Sequence, residues 1–170
     1  MKNKNFGQVL WITGLPGSGK TSIAKKINYH LKKKNKFYFE ISGDEIRKIF
    51  VFKNFDRKSR LEYAKFYSKI CRVLSDKGIN VIISTVSLFH EVHKWNRKNI
   101  NNYKEIYVKS KLEDIINQKK KKLYFNKKNK NLVSKNIKAE YPLNPHILIE
   151  NKFNNSINYF SLKIIKKLKL

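Results

Sequence analysis

The chain has 170 residues, 41% of them apolar, enough for a packed core and too many for a disordered segment. Its single cysteine, Cys71, excludes an internal disulfide, and no apolar run approaches the roughly 18 residues of a membrane span. The formal net charge is +27, carried mostly by lysines scattered along a chain that is also rich in asparagine. These two residues share A-rich codons, so codon bias accounts for the composition, and neither nucleic acid nor a membrane is an expected partner. The field would still gather anionic nucleotides. The N-terminal "MKNKNFG" lacks the apolar stretch of a signal peptide, and a cytoplasmic location is expected.

In chain order, "QVLWIT" reads as a buried strand that ends at glycines. "KTSIAKKINYHLKKK" has helical spacing at Ile23, Ile27, Tyr29 or His30, and Leu31. "KFYFEI" is a second strand and "SGD" a turn. "SRLEYAKFYSKICRVLSDKG" is a long helix with Leu61, Ala64, Tyr67, Cys71 and Leu74 on one stripe, stopped by Gly78. "INVIIS" is a nearly continuous apolar strand, as in a parallel sheet covered on both faces. "LFHEVHKWNRKNI" is helical, "YKEIYVKS" a strand, "LEDIINQKKK" a helix, "HILIEN" a short strand and "SINYFSLKIIKKLKL" a terminal helix. The lysine-rich stretch at about 119–138 has no clear period and is expected to be a mobile lid. Alternating strands and helices predict an α/β fold of one domain over 1–170, a parallel sheet with helices on both faces.

The chemistry sits in "GLPGSGKT", which matches G-x-x-x-x-G-K-[ST] at every fixed position between a strand and a helix. Glycines let the backbone curl so that several N–H groups face one anion, and the helix adds the positive end of its dipole. Gly14, Leu15, Pro16, Gly17, Ser18, Gly19, Lys20, Thr21 and Ser22 are therefore the expected ATP-binding set. Lys20 would reach the β- and γ-phosphates, and Thr21 would ligate Mg²⁺. The expected fold is that of a P-loop NTPase. The strong strand "INVIIST" ends in Ser84 and Thr85, without the acid that motors and helicases carry there. The acid follows the second strand instead, in "EISGDEIRK". Asp44 at that edge is a candidate base or magnesium ligand, although an N-cap for "EIRKIF" would use the same residue.

The ordered set "WITGLPGSGKT", "GDEIRK", "SRLEYAKFYSKICRVLSDKGINVIIS", "KKLY" and "YPLNP" resembles the adenylyl-sulfate kinase family from about residue 9 to 151. The resemblance implies a kinase, usually a homodimer, that uses ATP to phosphorylate the 3′-hydroxyl of a small nucleotide. The family's D-G-D-N-x-R appears as Ser42-Gly43-Asp44-Glu45-Ile46-Arg47, which keeps Asp44 and Arg47. Arg60 and Glu62 match its next arginine and glutamate, and Tyr63 replaces an asparagine. Phe55 matches the phenylalanine that stacks on the acceptor base. S-P-Y-R-x-x-R becomes Ser87 to His93, with His90 and His93 in place of both arginines. Lys121 keeps the lid lysine, whereas the lid phenylalanine aligns with Leu132, at a cost on the order of 1 kcal/mol of stacking. The substrate-binding set implied is Asp44, Arg47, Phe55, Arg60, Ser87, Lys121 and Leu132, with Asp44 and Lys20 catalytic. These departures resemble a branch associated with capsule polysaccharide synthesis, whose acceptor is cytidine diphosphoramidate; adenylyl sulfate remains the alternative. A metabolite kinase, or a basic nucleic-acid-binding NTPase with aromatics interleaved on a basic face, would share the loop.

His90 and His93 read as a solvated helix face, Cys71 and Trp11 as core, and the Phe37–Phe39 pair as sheet packing.

Overall fold

The computed structural model describes residues 5–50, 54–118 and 137–170. Five strands, β1 (Val9–Gly14), β2 (Phe39–Ser42), β3 (Val81–Thr85), β4 (Tyr103–Lys109) and β5 (Ile147–Glu150), form one parallel sheet in the order β2-β3-β1-β4-β5. The apolar strand β1 is central, with Thr13 level with Thr85 on one side and Tyr107 on the other. The helices are α1 (Lys20–Lys32), α2 (Gly43–Ile49), α3 (Arg57–Asp76), α4 (His90–Asn99), α5 (Leu112–Asn117) and α6 (Ile157–Leu168).

Side chains alternate across the strands, so β1 serves two cores. Leu10 and Ile12 pack with Ile23 and Ile27 of α1 and with Phe160 and Ile164 of α6. Val9 and Trp11 pack on the other face with Tyr67 and Cys71 of α3 and Val92 of α4. Burial pushes the Cys71 thiol up to about 12. The long helix ends as its glycine foretold: Gly78 has φ +79, and Ile79 N–H donates to the Leu74 carbonyl at 3.0 Å. The helix starts earlier than its apolar stripe suggests, because Asp56 caps it by accepting from Ser59 N–H at 3.0 Å.

Three expectations are corrected. Phe37 and Phe39 are 72% and 49% exposed, because β2 is an edge strand and its leading residues project past the sheet. The "SGD" segment is the end of β2 and the first turn of α2, capped by Ser42 and Glu45 rather than by Asp44. His93 is buried rather than solvated.

His93 belongs to a polar cluster inside the α3/α4 layer. Its Nε2 donates to the Ser87 carbonyl at 2.8 Å, and its Nδ1 lies 3.7 Å from Glu105 Oε1. Glu105 is fully buried on β4, where it accepts from Arg97 and from Tyr103 O–H at 3.3 Å; its own N–H donates to His146 Nδ1 at 3.0 Å. Arg97 also donates to the Asn144 carbonyl, tying the "YPLNP" segment to α4. Burial holds His93 and His146 below the ordinary histidine value.

Removing one partner strands the other charge. Arg97→Met should cost about 3 kcal/mol in urea unfolding, and adding Glu105→Leu should restore much of it. Unfolded histidines take up a proton near their usual value of 6.5, while the folded ones resist. Acid therefore favours the unfolded chain, and stability present above that value should be lost as pH falls below it. His93→Gln should shrink that loss, read as urea midpoints at about pH 7 and about pH 5.

Candidate active site

The carboxyl edge of the sheet gathers the predicted chemistry. At the end of β1 the chain turns through Gly14, Gly17 and Gly19, all at positive φ. A side chain is excluded at the first of these positions and crowded at the last. A Cβ on Gly14 would sit 2.3 Å from the Val108 carbonyl oxygen, and one on Gly19 would sit 3.1 Å from Asn151 Nδ2. The loop is fixed from outside as well. Leu15 is buried with Leu88, Ile115 and Ile137, and Asn151 Nδ2 donates to the Ser18 carbonyl at 3.1 Å. Lys20, the first residue of α1, is largely buried, and its Nζ donates to the Leu15 carbonyl at 2.6 Å. Ser18 is buried, whereas Thr21 and Ser22 are exposed at the start of α1. The loop thus has a fixed backbone, a lysine folded inside it and its helix N-terminus at the rim, which is the arrangement an oligophosphate requires.

Beside it, Thr21 Oγ1 lies 3.2 Å from Ser84 Oγ at the end of β3. Thr85, next along, packs against α2: a Cβ on Gly43 would come within 3.0 Å of Thr85 Oγ1. The strand ends therefore connect Asp44 to the phosphate loop through Thr21, Ser84, Thr85 and Gly43. The Asp44 side chain is 63% exposed and ion-paired with Arg47. Arg47 Nη1 donates to Tyr67 O–H at 3.4 Å, and that hydroxyl donates to the Gly43 carbonyl at 3.3 Å.

Arg60 approaches the same place from α3. Its Nε donates to the Phe55 carbonyl at 2.7 Å, and its guanidinium lies 5.4 Å from the centroid of the exposed Phe55 ring. Burial, and after it the charge of Arg47, lowers the Arg60 pKa. The Arg60 guanidinium is thus held partly out of water and within the field of Arg47. Ser87 is buried; its Oγ shares a hydrogen bond with Thr85 Oγ1 at 2.9 Å, and its carbonyl holds His93. Lys121 and Leu132 lie outside the described residues.

Several working residues escaped sequence reasoning. In sequence Asn151 is only the end of a strand; its signal is a polar residue at the carboxyl edge of the last strand. Ser84 stands out in sequence only as a strand end without an acid. Glu140 accepts from Arg57 at 2.5 Å and from His90 N–H at 2.8 Å, joining the start of α3 to the start of α4. His90 Nε2 donates to the Tyr141 carbonyl at 2.9 Å, so it too is a structural residue. Nothing in the local sequence around Glu140 marks that role.

Known proteins share this arrangement. The family model described as adenylylsulphate kinase matches residues 6–150. The cytidine diphosphoramidate kinase of Campylobacter jejuni is 36% identical over 170 residues, covering 98% of this chain and 99% of that protein. A probable adenylyl-sulfate kinase of Aeropyrum pernix is 37% identical over 123 residues, covering 69% of this chain and 67% of its own length. Among solved structures, the Mycobacterium tuberculosis APS kinase CysC in complex with AMPPNP and APS superposes with a TM-score of 0.86. At 24% identity, covering 97% of this chain and 99% of that one, it speaks for the fold. On the strength of the phosphate loop, the matched family model and these relatives, the chain belongs to the adenylylsulphate kinase family, ATP-dependent phosphotransferases that act on an alcohol acceptor.

Proposed function

We propose that this enzyme moves the γ-phosphoryl group of ATP to the ribose 3′-hydroxyl of cytidine diphosphoramidate, a step of capsule polysaccharide synthesis. The observation that carries the reading is the placement of Asp44, Arg47 and Arg60 beside a fixed phosphate loop, in a chain alignable end to end with a kinase of that acceptor. The acceptor's identity is supported by the histidines at positions 90 and 93. Both are spent on backbone carbonyls, so neither offers the guanidinium fork that the adenylyl-sulfate pattern carries there.

In this mechanism the loop amides and Lys20 bind the β- and γ-phosphates, and Lys20 offsets charge that spreads over the transferred group. Arg47 turns from Asp44 to the acceptor's phosphates, joined by Arg60, while Phe55 stacks on the base. Asp44 then accepts the 3′-hydroxyl proton as that oxygen bonds to the γ-phosphorus. The bond from the γ-phosphorus to the bridging oxygen breaks, and ADP leaves. The paired hydroxyls of Thr21 and Ser84 suit Mg²⁺, which takes few protein oxygens and keeps phosphate and water ligands. Among the described residues no cluster of three or more His, Cys, Asp or Glu competes for a metal. When bound, that ion neutralises phosphate charge, held on the protein by Thr21. Lys121 and Leu132 are assigned to the acceptor side of a lid at about 119–138, and the assembly is assigned as a homodimer, both on the family resemblance.

Asp44→Asn should lower kcat by about 100-fold or more while the KM for ATP changes little, measured by coupled ADP release. An unchanged kcat/KM for the acceptor would remove Asp44 from the chemistry. The acceptor is decided by phosphorus NMR with ATP·Mg²⁺ and, in separate reactions, cytidine diphosphoramidate, adenylyl sulfate, CDP and AMP. The 3′-phosphate should appear fastest on cytidine diphosphoramidate. A faster reaction with adenylyl sulfate would overturn the assignment and leave the kinase mechanism standing.

A further inference from the structure

The charge of this protein is sorted by layer. All twelve acidic residues fall between Glu40 and Glu150, so neither α1 nor α6 carries one. Codon bias adds lysine everywhere, but it does not keep carboxylates off these two helices in particular. The two helices share one core on the same face of the sheet and are joined at their surfaces. His30 Nε2 and Asn158 Oδ1 are 2.8 Å apart, and Lys34 Nζ donates to the Leu170 carbonyl at 3.1 Å. The outer surface they build is basic and studded with exposed rings. Tyr29 and Tyr159 are each 48% exposed, and Leu162, next to Lys163 on α6, is 45% exposed. The ammonium groups of Lys26 and Lys33 lie 4.5 and 4.7 Å from the Tyr29 ring centroid, and that of Lys163 lies 5.7 Å from the Tyr159 centroid. Glu40 faces the layer from β2, under α1 beside Lys25 and Lys32.

We propose that the α1–α6 layer is a docking surface for a bilayer rich in anionic lipid. A phosphate-dense plane complements a two-helix layer of a single sign, with tyrosines and a leucine to enter the headgroup region. Single-stranded nucleic acid fits less well. It needs ring faces open for base stacking, and here the rings are already engaged by ammonium groups. Among the described residues no helix is long and apolar enough to cross a membrane, so the attachment is peripheral. It also leaves the phosphate loop free, because the loop opens at the N-terminal end of α1, on the edge of the sheet and not on the outer face of the layer.

A chain of charge +27 adheres to many anionic surfaces, so the test must locate the binding. The full chain is sedimented with phosphatidylcholine vesicles containing phosphatidylglycerol, and with phosphatidylcholine vesicles alone, at physiological salt. Two variants lose equal charge: Lys26, Lys33, Lys163 and Lys166 to Gln in the α1–α6 layer, and Lys69, Lys77, Lys94 and Lys98 to Gln on the opposite layer. The wild type should partition onto the anionic vesicles only. The first variant should lose about tenfold or more of that partitioning and the second less than about twofold, with kinase turnover intact in both. Equal losses, no binding by the wild type, or displacement from vesicles by single-stranded RNA at comparable concentration would each overturn the proposal.

Discussion

The close approach of the Gly14 backbone to the Val108 carbonyl governs how this molecule works. A strand, a loop and the neighbouring strand meet there with no space for a side chain. Strand β1 must therefore turn at once, and every residue of the loop is placed by that turn. Asn151 from the end of β5 holds Ser18, and Leu15 is buried against Leu88, Ile115 of α5 and Ile137. The amides are thus fixed before a nucleotide arrives, so little of the binding free energy is lost to ordering them.

The rest of the site follows from strand order. Because β3 lies between β1 and β2, a hydroxyl strand end separates the phosphate loop from Asp44. Ser84 contacts Thr21, and Thr85 receives Gly43, so two small polar residues and no acid stand at the end of β3. Asp44, the acid one strand further out, lies at an exposed rim. On the other side of β1 the polar cluster around Glu105 performs a mechanical task. It ties α4, β4 and the "YPLNP" segment together and, through His93, fixes the loop that carries Ser87.

Sequence reasoning recovered what periodicity and turn chemistry encode. The alternating strands and helices, the glycine stop at Gly78 and the phosphate loop are local signals, each with a backbone cause. Trp11 and Cys71 fell in the core because their neighbours shared an apolar stripe. The failures share a different cause. Phe37 and Phe39 looked like packing until the sheet order made β2 an edge. His93 looked solvated because its partners, Ser87 and Glu105, come from a loop and a strand that the local pattern does not bring together. Asn151 and Glu140 act across fifty or more residues of chain, on Ser18, Arg57 and His90. Such side chains are chosen by tertiary contact, and single-sequence patterns carry no record of it.

The position of Cys71 has a practical consequence. The only thiol in the chain lies sealed between α3 and the sheet, with its ionisation pushed up to about 12. A thiol reagent attacks the thiolate and needs access, and the folded state withholds both. Modification therefore proceeds only from conformations in which α3 has left the sheet, and its rate reports how often that separation occurs. The enzyme carries a native, single-site gauge of its own opening, against which nucleotide-induced tightening can be read without adding a label.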